Sequence, residues 1–255
     1  MFNAEDPDYS GPPSSEIERY ERALGSELFA TVPEVQLVRD PSLELIIKIF
    51  SEVEIDWENV ESIVRMFPWI ALHDRFISRV LEFHLHKVLQ TIEMQMPHFH
   101  ANPLPEDRES AHFSFYHAVS PSAGIIAKRR RREYVEYDSL SAVDTSTGRL
   151  HTVWEAKLGV LKKNSKSAPH VHKQSRKIFL PELQKYWLFP LVELFGSTIF
   201  SEVVVTLQGK PIEENSKIQE YIQNGGYVVK IPYSSEQLVS EVKKRWQVEI
   251  KESEE

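Results

Sequence analysis

Between residues 136 and 159 the chain reads EYDSLSAVDTSTGRLHTVWEAKLG, and three side chains in that stretch, Asp138, Glu155 and Lys157, have the types needed for phosphoester chemistry. Carboxylate oxygens are hard ligands that suit Mg²⁺, and a divalent ion held by them polarises a phosphate and activates water. A lysine next to such a pair orients that water or stabilises the charge that develops on the phosphate oxygens. The three residues therefore point to phosphodiester hydrolysis, provided the backbone brings them together.

A single β-hairpin would do so. Thr145-Ser146-Thr147-Gly148 reads as a turn, with β-formers on both sides and Gly148 free to take a positive φ. Closing it places Asp144 opposite Arg149. Stepping outward, Asp138 faces Glu155 and Glu136 faces Lys157. Side chains alternate along a strand, so Asp138, Glu155 and Lys157 share one face. The other face collects Tyr137, Val143, Leu150, Trp154, Ala156 and Leu158, which predicts one wet and one dry side. A slip of one residue would spoil both faces. The same triplet also suits a merely solvated hairpin, because 27% of the chain is charged.

The elements around the hairpin follow from pattern. Lys173 to Phe195 reads as a mostly helical run, interrupted or kinked at Pro181 and Pro190. Glu202 to Leu207 is a β-branched run that suits a buried parallel strand. Ile212 to Gln223 reads as a helix stopped by Asn224-Gly225-Gly226, followed by a second buried strand, Tyr227 to Ile231. Ser234-x-x-Gln237 has capping-box spacing for a last helix ending near Trp246. A hairpin followed by strand–helix–strand predicts an α/β fold with a mixed central sheet flanked by helices. Upstream, residues 1–15 read as a disordered tail and residues 16–109 as an all-helical region and linker, with helices over Ser42–Ser51, Trp57–Met66 and Arg75–Met94. On the last of these, Ile77, Val80, Leu81, Leu85, Val88 and Ile92 form a core stripe, and Glu82, His86 and Glu93 lie on the other side.

An acid on one strand, then Glu155-Ala156-Lys157 on the next, then VVVTLQGKPIEENSKIQEYIQNGGYVVKI, resembles the PD-(D/E)xK or restriction-endonuclease-like superfamily over about residues 110–255. The last segment is similar to the strand–helix–strand of Mrr-like enzymes and archaeal-type junction resolvases. The resemblance implies a Mg²⁺- or Mn²⁺-dependent nuclease, DNA ahead of RNA. It gives Asp138, Glu155 and the Ala156 carbonyl as metal ligands and Lys157 as the lysine beside the attacking water. A further ligand from an upstream helix is common to the family, and Glu82 is the candidate here, although a solvated helix face fits it too. Tyr137 stands where many members have proline, and the Gln-x-x-x-Tyr element of the RecB-like branch is missing.

Charge is unevenly spread. The chain carries a formal net charge of −8, yet residues 128–177 hold 13 Lys and Arg against 5 Asp and Glu, while residues 1–60 hold 14 acids against 4 bases. Lys128, Arg129, Arg130, Arg131 and Arg132 enter the hairpin; Lys162, Lys163, Lys166, Lys173, Arg176 and Lys177 leave it. A polyanion passing Asp138 and Glu155 would meet cations on both sides, which gives salt-dependent affinity for nucleic acid. A nuclear-import-like run and a mobile loop are the competing readings, and the acidic N-terminal region suits a basic protein partner. The pairs His84/His86, His98/His100 and His170/His172 lack a third ligand at zinc spacing. No cysteine and no membrane-spanning run point to an intracellular protein, cytoplasmic or nuclear. The alternative to an enzyme is a non-catalytic nuclease-like module that grips nucleic acid or a protein.

Overall fold

β-formers on either side of Thr145–Gly148 pair as the turn dictates. In a computed structural model describing residues 13–58, 60, 74–117, 124–157, 161–162, 170–171, 177–207 and 216–246, β6 (Ser139–Thr145) and β7 (Gly148–Ala156) form an antiparallel hairpin with Asp144 opposite Arg149 and Ser139 opposite Trp154. That is the register read from the turn. β7 then runs parallel to β10 (Ile199–Leu207), and β10 runs parallel to both β11 (Tyr227–Ile231) and β1 (Gln36–Leu37). β2 (Phe99–Ala101) closes the far edge against β6. The strand order is β1-β10-β7-β6-β2, with β11 beside β10 next to β1. The sheet is mixed, as the element order predicted.

Helices cover both of its faces. On one lie α3 (Leu43–Glu52), α4 (Asp74–Gln95) and α7 (Ser235–Trp246), whose Phe50, Leu85 and Leu238 pack with Trp154 and Val205. α1 (Pro13–Leu24) and α2 (Ser26–Ala30) precede α3 in the chain. On the other face lie α5 (Pro181–Phe195), α6 (Ser216–Gln223) and a three-stranded antiparallel sheet of β3 (Ser114–His117), β4 (Ile125–Arg129) and β5 (Arg132–Tyr137). Their Trp187, Ile218, Phe115 and Val135 pack with Val153 and Val204. The capping box is formed: Ser234 N–H donates to Gln237 Oε1 at 2.7 Å and Gln237 N–H to Ser234 Oγ at 3.2 Å.

Several expectations need correction. The hairpin has no wet side. Leu140 and Val153 share the Glu155 face and are fully buried under α5 and the small sheet. The Trp154 face is closed as well, and its polar residues are bonded inside: Trp154 Nε1–H donates to Ser141 Oγ at 2.8 Å and Thr152 Oγ1–H to Asp40 at 2.7 Å. The hairpin also stops short. The chain bends at Asp138, and β5 leaves the main sheet to pair with β4, so Glu136 faces Ile126 and not Lys157. Tyr137 consequently sits on the α5 side, its hydroxyl donating to the Trp187 carbonyl at 2.7 Å.

The helical run is interrupted at Pro181, one of the two outcomes read there: residues 177–179 are helical, Leu180 is extended, and Pro181 opens α5, where its missing N–H costs nothing; Pro190 lies within that helix. The N-terminal helices are present, but the region is not helical throughout: β1 and β2 add edge strands to the sheet. α1 begins at Pro13, inside the expected tail, and residues 1–12 lie outside the described residues, as does most of Trp57–Met66.

β1 and β11 share one side of β10, and their meeting point is tight. Gly225 takes φ 97°, and a Cβ there would stand 2.6 Å from the Leu37 carbonyl oxygen. Gly148 takes φ 132° but faces open space. Gly225→Ala therefore adds a backbone clash to the conformational strain and should lose about 2 kcal/mol or more of unfolding free energy, against about 1 kcal/mol for Gly148→Ala. Urea denaturation at unchanged slope checks both; equal losses would show that the junction of β1 and β11 yields.

Candidate active site

β7 is a central strand whose last turn of sequence changes from apolar to charged, so its end carries ions into the interior. Glu155 follows Trp154 on the α5 face and has no exposed surface. Lys157 extends the ladder by one bond, its N–H donating to the Val205 carbonyl at 2.8 Å. Asp138 stands at the bend between β5 and β6, directly beside that end. There the expected trio converges. Lys157 Nζ lies 2.7 Å from Glu155 Oε2 and 3.1 Å from Asp138 Oδ2. The Ala156 N–H donates to Asp138 Oδ2 at 2.7 Å, and the Asp138 N–H to Glu155 Oε1 at 3.3 Å. Trp154 points to the opposite face, into the α3–α4 core. Asp144 is at the far turn, paired with Arg149 at 2.7 Å and with His100 at 3.0 Å.

Electrostatics at this point are extreme because the charges are buried. Burial, reinforced by the Asp138 carboxylate, pushes the Glu155 carboxyl above its usual range, against the pull of Lys157 and Lys177. Burial lowers the affinity of Lys157 for its proton, but the Asp138 and Glu155 charges outweigh it and hold the ammonium above its ordinary pKa. Lys177 Nζ adds a second cation at 3.9 Å from Glu155 Oε2.

Glu82 enters from α4. Its side chain is 12% exposed and pairs with Arg79 at 2.5 Å, so it does not lie on a solvated face. Burial first, and the Asp138 charge second, push its carboxyl up to about 7. Glu136 lies close enough to be raised by burial and by Asp138.

One acid escaped the sequence reading. Glu202 of β10 shares the Glu155 face, since Val204 pairs with Glu155 and Glu202 with Val153. It is fully buried, receives the Gln184 Nε2–H bond from α5, and has a carboxyl raised well above the ordinary range by burial. Only the β7–β10 register reveals it, and nothing in either strand's sequence fixes that register.

The basic window divides. Arg129 is 9% exposed and so is no surface phosphate contact; burial lowers its pKa. Arg130 and Arg131 form the two-residue tip between β4 and β5, both left-handed at φ 48° and 67°, and with Arg132 they are exposed. Lys128 Nζ lies 4.9 Å from the Tyr116 ring centroid. Lys162 and His170 fall on the short paired strands β8 (Leu161–Lys162) and β9 (His170–Val171). Lys163, Lys166, Lys173 and Arg176 lie outside the described residues. Of the histidines, His84 is buried between Phe50 and Tyr233, its pKa lowered to about 4 by burial, and His86 bonds Asn102 and Gln90.

Hard oxygen donors at Asp138, Glu155 and Glu82 fit Mg²⁺ or Mn²⁺, and buried Glu155 Oε2 faces the Lys157 and Lys177 ammonium groups. The cation that this oxygen demands is at present Lys157. Among the described residues no three acidic or histidine side chains converge as a ready-made cage. The Ala156 atom that meets the acids here is its N–H. No helix among the described residues is long and apolar enough to cross a membrane. Comparison with protein-family models, curated proteins and solved structures gives no match.

Glu82 gives this electrostatic picture a direct readout. Its folded-state pKa of about 7 exceeds the unfolded value near 4.5. The folded chain then binds more protons in that window, so the Glu82 contribution to stability falls as pH rises from about 4.5 to about 7. Carboxyl ¹³C NMR should show Glu82 titrating near neutral pH and moving down in Asp138→Asn, which removes the neighbouring charge. A Glu82 midpoint near 4.5 in both proteins would separate it from the site.

Proposed function

We propose that the chain is a metal-dependent nuclease of the restriction-endonuclease-like class, hydrolysing phosphodiester bonds in nucleic acid, DNA ahead of RNA. The observation carrying this reading is the convergence of Asp138, Glu155 and Lys157 at the carboxyl end of a central strand, where α/β sheets place their ligand crevices. Asp138 and Glu155, with Glu82 alongside, would hold Mg²⁺ or Mn²⁺, which supplies Lewis-acid polarisation of the phosphate and water activation when bound.

The chain's own residues do the rest. The Ala156 and Asp138 N–H groups fix the two carboxylates, so their oxygens are aimed before any ligand arrives. Lys157 keeps its proton and orients water by donating to it, while its charge favours a phosphate over a neutral group. Exposed Arg130, Arg131 and Arg132 contact the backbone of the strand, supplying affinity that does not depend on sequence. Intracellular nucleic acid, in cytoplasm or nucleus, is the setting we assign, consistent with the absence of cysteine from the chain. A non-catalytic module that binds nucleic acid or a protein partner is the second reading, favoured by the closed ion pairs around Lys157.

Purified protein with Mg²⁺ or Mn²⁺, assayed on single-stranded, duplex and branched DNA and RNA, decides between them. Wild type should cleave at least one form. Glu155→Gln and Lys157→Ala, with fold verified by near-UV circular dichroism, should lose about a hundredfold or more in rate and keep most of their binding. Replacing Arg130, Arg131 and Arg132 together by Gln should flatten the slope of log affinity against log salt by about 0.7–0.9 for every phosphate left without its arginine. Wild-type binding without cleavage on any substrate or metal would hand the chain to the second reading.

A further inference from the structure

Lys177 is the second described cation beside Glu155, after Lys157, and its surroundings differ in kind. Lys157 is locked between two carboxylates at hydrogen-bond distance. Lys177 lies 3.9 Å from Glu155 Oε2, beyond hydrogen-bond reach, and donates one bond, at 3.3 Å, to the Glu136 carbonyl. An ammonium has three donors. Its side chain is 26% exposed, enough to be reached from solvent. Arg79, by contrast, has a closer acidic partner in Glu82.

Its direction is nevertheless fixed. The Lys177 ammonium lies 4.9 Å from the ring centroid of Trp187, which is itself fully buried. A cation held over an aromatic face by a rigid ring, and tethered by one carbonyl, is aimed without being neutralised. Three elements meet in this one group: β5 through Glu136, β7 through Glu155 and α5 through Trp187. Electrostatic catalysis asks for such a donor, placed before the charge it stabilises appears.

Resting on the nuclease reading above, we propose that Lys177 is a second active-site lysine, contacting a non-bridging oxygen of the scissile phosphodiester while Lys157 remains with the carboxylates and water. In the hydrolysis the water oxygen bonds to phosphorus as the bond from phosphorus to the leaving oxygen breaks. Water gives up one proton to solvent, and the leaving oxygen takes one to become a hydroxyl. Lys177 keeps its proton throughout, and nothing is oxidised or reduced. The ligand class is a phosphodiester in a strand, and the contact is to charge, not to a base.

The test uses the full chain as wild type, Lys177→Ala and Lys177→Arg, with a labelled oligonucleotide of the form the panel shows to be bound. Binding is measured in EDTA across a salt series, and single-turnover cleavage across a Mn²⁺ series. Lys177→Ala should reduce the salt slope by about 0.7–0.9 and the saturated cleavage rate about a hundredfold or more. The apparent Mn²⁺ affinity and the melting temperature should stay at wild-type values. Lys177→Arg, which keeps the charge over Trp187, should recover a substantial part of both losses. A rate restored simply by adding Mn²⁺ would overturn the proposal, since Lys177 would then only brace Glu155. So would a wild-type salt slope in Lys177→Ala. If wild type binds but never cleaves, the nuclease reading fails separately, and the salt slope alone upholds or rejects the phosphate contact.

Discussion

A carboxylate with no exposed surface, on the central strand of a sheet covered on both faces, governs the arrangement around it. An ionised group so placed is tolerated only with a partner charge and with hydrogen bonds to its remaining oxygens. Glu155 obtains them from Lys157, from the Asp138 N–H and, at longer range, from Lys177. Each of these imposes something further. The Asp138 N–H reaches Glu155 only because the chain bends there, and the bend sends β5 off to start the small sheet. Lys157 reaches both acids because it continues the β7 ladder beyond its last apolar residue. The buried ions thus fix where the main hairpin ends.

The parts of the fold legible in the sequence were those set by local rules. The turn at Thr145–Gly148 fixed the β6–β7 register, and through it the proximity of Asp138, Glu155 and Lys157. β-branched runs and a capping box located β10, β11 and α7, because each signal lies within its own segment. Contacts made across the chain were not legible. Ser141 and Thr152 share the Trp154 face, where they are bonded to Trp154 and to Asp40, a residue far upstream. The exit of β5 at Asp138 depends on β4 as a competing partner, which no turn signal in the hairpin announces.

The same distinction applies to the charged residues. A run of five basic residues reads as uniform, but a two-residue turn inside it separates them: Arg129 is buried at the end of β4 while Arg130 and Arg131 occupy the tip. Both tip residues adopt left-handed backbone that ordinarily favours glycine or asparagine. Glu82 was legible as a helix residue off the core stripe, but not as a group inside the electrostatic field of Asp138, because that requires knowing where α4 crosses the hairpin. Glu202 was hidden for a related reason. It begins a run of valines, and only parallel pairing with β7 puts it on the acid face.

The shared edge of β10 has a bearing on how the chain assembles. β1 lies against Ile199 and Phe200 and β11 against Val203 to Leu207, so one strand is completed by segments from opposite ends of the chain. Neither contact can form until β10 has been made, and β1 precedes that partner by about 160 residues. Helix α4 and the β6–β7 hairpin, by contrast, fall within one middle stretch of sequence that already contains Glu82, Asp138, Glu155 and Lys157. The acids are thus joined by contacts within one stretch of sequence, whereas completing the sheet at β10 needs contacts that span most of the chain, the class of contact whose closure costs the most chain entropy.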